Sequence, residues 1–246
     1  MLYILFMMLT VLFENSDILI IDKPAGLASQ PGERVGSSVI TLAERQFSFK
    51  PYPVHRLDKE TAGCMMLAKS SRAASEWSER LSERKLRKVY WAVSFGTPSL
   101  GKGVFSDSLD YQGKSQKAET FYWLLRKFST ENMPKTVAGR VGLEPLQMSL
   151  LQLELGSGRM HQIRRHLALH DLPILGDDKY GNFRINKQIK SIFGVKNLLL
   201  WARQLEIPSI GMVVSAQPAH FSKFFALWDV QEAGKTADFA SGNDRH

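Results

Sequence analysis

Two dense polar knots interrupt the apolar stretches of this chain, and both hold residue types that can do chemistry. The first is His55-Arg56-Leu57-Asp58-Lys59-Glu60-Thr61-Ala62-Gly63. A knot of this kind between strands is either a turn or a site. Asp58 can be read as the cap of the turn before Thr61 or as a functional carboxylate. The second knot, Gly158-Arg159-Met160-His161-Gln162-Ile163-Arg164-Arg165-His166, opens a predicted helix with three arginines and two histidines. At about 100° per residue, His161, Arg164 and Arg165 share one face, and Ile163 and Leu167 occupy another. A basic helix face is a solvated surface unless something brings a partner to it. His166 and His170 also stand four apart, followed by Asp171, Asp177 and Asp178, which is a weak metal pattern. Leu167 stands where a metal-hydrolase helix places its Glu beside the first His, so no metal is expected.

Periodicity and turn signals place these knots among mixed strands and helices. Ile18-Leu19-Ile20-Ile21 reads as a buried strand that stops at Asp22-Lys23-Pro24-Ala25-Gly26. Residues 37–46 read as a short helix and 64–68 as an apolar strand. Residues 70–87 form a charged surface helix that Ser70 or Ser71 can cap. In Lys88-Val89-Tyr90-Trp91-Ala92-Val93-Ser94-Phe95, alternation puts Val89, Trp91, Val93 and Phe95 on one face and turns Tyr90 away from that apolar group. Further strands are expected at 117–128, 146–155, 197–205 and 211–216. A loop is expected at 129–145, and helices at 160–170 and 221–228. Without regular alternation of strand and helix, the pattern predicts an α+β domain around a mixed, largely antiparallel sheet with flanking helices.

Composition narrows the class of partner. The 246 residues include 32 Lys+Arg against 24 Asp+Glu, a net charge of +8, and this favours a polyanion such as nucleic acid. Cys64 is the single cysteine, so an intrachain disulfide is excluded and a reducing cytoplasm fits. Residues 1–10 are an apolar extension too short for a membrane span and without a basic start. They are an extra strand or the product of too early a start, with Met7 or Met8 as the natural one. Residues 231–246 read as a loose polar tail. A single domain over 11–230, acting as a monomer, is the expectation.

Taken in order, the two knots and their surroundings resemble the RluA-type family of RNA pseudouridine synthases. The first knot is similar to that family's His-Arg-Leu-Asp-x-x-Thr-Ser-Gly segment, and Asp22-Lys23-Pro24-Ala25-Gly26-Leu27 to its Lys-Pro-x-Gly loop. The second knot, with Leu172-Pro173-Ile174-Leu175-Gly176-Asp177 and Tyr180-Gly181, resembles its second signature. Lys88-Val89-Tyr90 and Leu198-Leu199-Leu200-Trp201-Ala202 sit where that family has its active-site Tyr and a Leu-His-Ala strand. The departures are Ala62 for Ser, Ser157 for Thr, Met160 for Thr and Trp201 for His. They fall on substrate contacts, the bulky Trp201 above all. The match starts near Val11, which leaves no room for the family's extra N-terminal RNA-binding module.

The resemblance implies isomerisation of uridines in ribosomal or transfer RNA, without metal or cofactor. Asp58 would act at C1′ of a flipped-out nucleotide, and Arg164 would hold Asp58 ionised through its fork of donors. Tyr90 would stack on the uracil and help remove the C5 proton, while Leu200 would seal the pocket. Arg56 would fill the gap left in the RNA, with His55, Arg159, His161 and Gln162 as further substrate contacts. A non-catalytic RNA-binding protein would share the charge without needing Asp58.

Overall fold

A computed structural model describes residues 8–32, 36–132 and 146–228. Residues 1–7 of the apolar extension, most of the loop expected at 129–145 and the tail at 231–246 lie outside these. Ten strands form one sheet: β1 (Thr10–Glu14), β2 (Ile18–Lys23), β3 (Tyr52–Pro53), β4 (Ala62–Ala68), β5 (Arg87–Phe95), β6 (Lys102–Tyr111), β7 (Lys114–Ser129), β8 (Gln147–Leu155), β9 (Leu200–Ile207) and β10 (Gly211–Val214). Their order is β1-β2-β4-β9-β5-β8-β7-β6, with β3 on β4 and β10 on β9. Helices α1 (Val39–Gln46), α2 (Ser71–Ser82), α3 (Gln162–Leu169), α4 (Phe183–Phe193) and α5 (Ala219–Phe225) flank it. The expected α+β architecture is what the chain adopts.

Alternation explains why residues 18–21 of β2 and 64–68 of β4 are unbroken apolar runs. Leu19, Ile21, Met65 and Leu67 enter one core with residues of α1, α3 and α5. Ile18, Ile20, Cys64, Met66 and Ala68 enter a second core with Ala73 and Trp77 of α2. A strand covered on both faces has no solvent side, so it reads as a continuous apolar run. Helices α1 and α2 begin where their caps stand. Ser70 accepts from the N–H of Ala73, and Ser38 forms a capping box with Thr41.

Every ladder is antiparallel except β4 with β9, where Ala62 pairs with Trp201 and Gly63 with Ala202. That parallel pair positions the site, because it sets the N-terminal ends of β4 and β9 side by side: Asp58 lies just before one and Leu200 opens the other. Gly63 makes the approach possible. Its φ is +117°, and a Cβ there would stand 2.1 Å from the Ala202 carbonyl oxygen.

Tyr90 leaves β5 on the face away from Val89, Trp91, Val93 and Phe95, and lines the cavity that none of those four lines. It is nonetheless buried, because the sheet is covered on both sides of β5. The long β6–β7 hairpin is read from sequence only along part of β7, and α4 not at all. In β6 only Phe105 and Leu109 are buried, four residues apart, so it offers no period-2 signal.

Candidate active site

Two backbone loops meet in front of β4 and lock one another. Lys23, at the end of β2, is fully buried, and its ammonium donates to the carbonyls of Pro24 at 2.9 Å, Leu27 at 2.7 Å and Lys59 at 3.0 Å. The Gly26 N–H donates to the same Lys59 carbonyl at 2.9 Å. Burial pushes the Lys23 ammonium down to about 7, against the pull of the Glu60 and Asp58 carboxylates. The Ser29 hydroxyl donates to the Leu57 carbonyl at 2.6 Å and accepts the Leu57 N–H at 3.0 Å. Asp58 is thus held by fixed backbone on both sides.

The turn-cap reading of Asp58 does not survive. The Thr61 N–H is bonded to the backbone carbonyl of Asp58 at 3.1 Å, and the side-chain carboxylate accepts no hydrogen bond from the described residues. The carboxylate is 21% exposed, with Arg164 Nη1 and His161 Nε2 each 3.7 Å away. It faces a cavity of about 500 Å³ whose lining includes every residue nominated from sequence: His55, Arg56, Asp58, Tyr90, Arg159, His161, Gln162, Arg164 and Leu200.

The arginine fork goes elsewhere than expected. Arg164 Nε and Nη2 each lie 2.7 Å from the two oxygens of Asp177, a bidentate pair buried to 1% exposure at the carboxylate. Asp177 also accepts the N–H groups of Lys179 and Tyr180. Only Nη1 remains for Asp58. The guanidinium is therefore fixed along one edge and offers the other; Arg164 is buried, while His161 and Arg165 of the same basic group are partly exposed. Burial of Asp177 opposes its charge, but the Arg164 fork and the two backbone donors outweigh that and hold the carboxyl below its ordinary value.

His161 precedes α3 with φ +52°, so it is not on the helix face proposed for it. Its Nδ1 lies 3.0 Å from the Tyr180 hydroxyl, which leaves Nε2 toward Asp58, and burial lowers its proton affinity. Gln162 spends its amide inside the protein. Its nitrogen donates to the Glu119 carbonyl and the Thr120 hydroxyl, and its oxygen accepts from Ser157 Oγ and the Arg159 N–H. It braces α3 against β7 and has no bond left for a substrate, which corrects its expected role. Ser157, a departure from the family pattern, retains the hydroxyl that this brace uses.

His55 accepts the Met66 N–H through Nε2, and burial together with the Lys88 charge lowers it to about 3, so it stays neutral. Burial first, then the Asp58 charge, pushes the Tyr90 phenol above its ordinary value. A phenol held in its O–H form offers a flat ring on which a base can stack. Arg56 and Arg159 are exposed at the cavity rim.

Trp201 does not enter the cavity, contrary to the expectation drawn from its bulk. It is 1% exposed, packs edge-on against Trp91, and donates its indole N–H to Ser215 at 2.8 Å. The neighbouring Leu200 lines the cavity instead, because successive residues of a strand face opposite ways. The two histidines of the metal alternative are separately engaged, His166 with the Thr120 hydroxyl and His170 with Asp107, each at 2.8 Å. Among the described residues no group of three His, Cys, Asp or Glu is placed to hold a metal, and no helix is long and apolar enough to cross a membrane. Asp177, Tyr180, Ser29 and Lys88 were not nominated. The Asp177 and Tyr180 motifs and the Lys88-Val89-Tyr90 segment were the available signals, and Ser29 had none.

The chain has clear relatives. Residues 17–169 match the family model described as RNA pseudouridylate synthase. A ribosomal large subunit pseudouridine synthase C of Rickettsia felis is 33% identical over 189 residues, covering 74% of this chain and 59% of that protein. A tRNA pseudouridine synthase C of Pectobacterium carotovorum is 30% identical over 248 residues, covering 94% of this chain and 62% of its own length. The chain thus spans about three fifths of these two relatives. The solved structure of human RNA pseudouridylate synthase domain containing 4 superposes with a TM-score of 0.67 at 26% identity, covering 88% of this chain and 92% of that one. The family match takes in more than half of the chain, including the loop of Asp58, the strand of Tyr90 and the helix of Arg164: this chain belongs to the RNA pseudouridylate synthase family.

Proposed function

We propose that this protein isomerises uridine to pseudouridine in ribosomal or transfer RNA, in the cytoplasm, with Asp58 as the catalytic carboxylate. The observation that carries this reading is the Asp58 carboxylate, mostly withdrawn from solvent, with no hydrogen bond among the described residues and Arg164 and His161 each 3.7 Å away, facing a cavity that Tyr90 also lines. The reaction breaks the N1 to C1′ bond and joins C5 to C1′; C5 loses a proton and N1 gains one. No water or redox equivalent is consumed, so the demand is for negative charge beside C1′. A carboxylate supplies it, by adding to C1′ or by taking the 2′ proton from the cationic sugar. Arg164 Nη1 steadies that charge, Tyr90 stacks on the turning uracil, and Leu200 closes the pocket. The nucleotide must leave its stack to enter, at a cost of a few kcal/mol that is smallest in loops. Arg56, at the rim, occupies the space it vacates.

The test is release of tritium from unmodified ribosomal and transfer RNA transcribed with C5-labelled uridine. The protein is expected to release it in excess chelator. Absence of release from both RNAs, with folded protein, overturns the reading.

Trp201 supplies a control outside the cavity. Trp201→Phe removes the bond to Ser215 and is expected to lower stability by about 1–3 kcal/mol while tritium release stays within about twofold of the parent. A large loss of turnover with a normal melt would place this ring in the substrate site after all.

A further inference from the structure

Lys88 is the one lysine lining the cavity, and it differs from its charged neighbours. Arg87, the preceding residue, is paired with both Glu154 and Glu206; Lys85 is paired with Glu83, and Lys69 with Glu14. The Lys88 side chain has no hydrogen bond or ion pair among the described residues, although the residue is only partly exposed. Burial alone pushes its ammonium down to about 8. No charged group offsets that burial, and His55, the group it acts on, is neutral. An ammonium withdrawn from water without an acceptor is costly, and a free lysine ordinarily extends its head into solvent. The cost is recovered when an anion enters the cavity.

The strand places that anion. Lys88 and Tyr90 are two residues apart on β5, so their side chains leave the same face about 6.6 Å apart. Both line the cavity that holds Asp58. A nucleotide with its base against Tyr90 and its ribose at Asp58 has its phosphate in the same cavity that Lys88 lines. We propose that Lys88 binds a backbone phosphate of the flipped nucleotide, donating to a non-bridging oxygen. The assignment rests on the reading of the site as an RNA uridine isomerase and adds to it the group that grips the sugar-phosphate end.

The test compares Lys88→Gln and Lys88→Arg with the parent, on the C5-tritiated ribosomal and transfer RNA transcripts, across a salt series. Lys88→Gln is expected to raise KM about tenfold with kcat within about twofold, the loss of one charge-assisted bond made equally in ground and transition states. Its log–log salt slope is expected to be shallower by about 0.7, one phosphate contact on single-stranded RNA. Lys88→Arg, which keeps a charged donor, is expected to restore both. A lysine that merely supports the fold would lower the melting temperature without altering the salt slope. An unchanged slope in Lys88→Gln, or a fall in kcat with KM held, overturns the proposal. Should the parent release no tritium, the isomerase reading falls by itself. Filter binding of the same transcripts then decides Lys88, again by whether the slope changes.

Discussion

Asp58→Asn is expected to abolish turnover while leaving fold and RNA affinity intact. The substitution keeps the shape of the side chain and removes the charge, and the carboxylate makes no hydrogen bond among the described residues that the amide would break. The turn itself is closed by the Asp58 backbone carbonyl and the Thr61 N–H, which the change does not touch. A loss of at least about a thousandfold in tritium release corresponds to roughly 4 kcal/mol of transition-state stabilisation. Affinity is expected to hold or rise slightly, because a negative charge near the phosphates is gone. Tritium release, a binding isotherm and a melt on one preparation check all three. Retention of more than about a tenth of the parent rate would reject Asp58 as the catalytic group, since a thousandfold loss is the expected minimum.

The largest effect on stability is expected from Asp177→Ala. Arg164 is almost wholly buried, and the substitution strands its guanidinium with Asp178 and Asp58 as longer, partial partners. Breaking one side of a buried pair costs about 3–5 kcal/mol. The N–H groups of Lys179 and Tyr180 lose their acceptor at the same time. Activity should fall as well, because the edge that fixes Arg164 beside Asp58 is released. Acid adds a check with a definite sign. The folded Asp177 carboxyl is held below its reference value of 3.8, so its contribution is present above that pH and is lost as pH falls through the lower folded value. The difference in unfolding free energy between parent and Asp177→Asn should therefore shrink below about pH 3.8. A difference that is small at neutral pH, or constant down through that range, would show that the pair does not hold the site together.

Local residues were enough to find the site, but its wiring depends on contacts far apart in sequence. The order and types in His55–Gly63 and Gly158–His166 marked the Asp58 loop and the approach to Arg164, and the apolar runs of β2 and β4 marked buried strands. Those features depend on neighbours within a turn or on strand period, so one stretch of chain contains them. What Arg164 holds does not. Its fork closes on Asp177, 13 residues away through a turn, rather than on Asp58, more than 100 residues earlier. Charge and valence permitted either partner, and only the fold chose.

The same reason governs the other departures. Trp201 and Leu200 are adjacent in sequence, and which one faces the cavity is set by the register of β9 against β4 and β5. The burial of Tyr90 was not legible, because alternation along one strand cannot reveal that both faces of the sheet are covered. Gln162 looked free to meet a substrate until β7 brought Glu119 and Thr120 to its amide. The sequence by itself marked the carboxylate proposed to react, the strands that flank it and the basic excess that suits RNA. Tertiary structure decided which polar groups were already spent on each other and which, like the Asp58 carboxylate and the Lys88 ammonium, were left facing the cavity, because hydrogen-bond satisfaction is settled between segments and not along one.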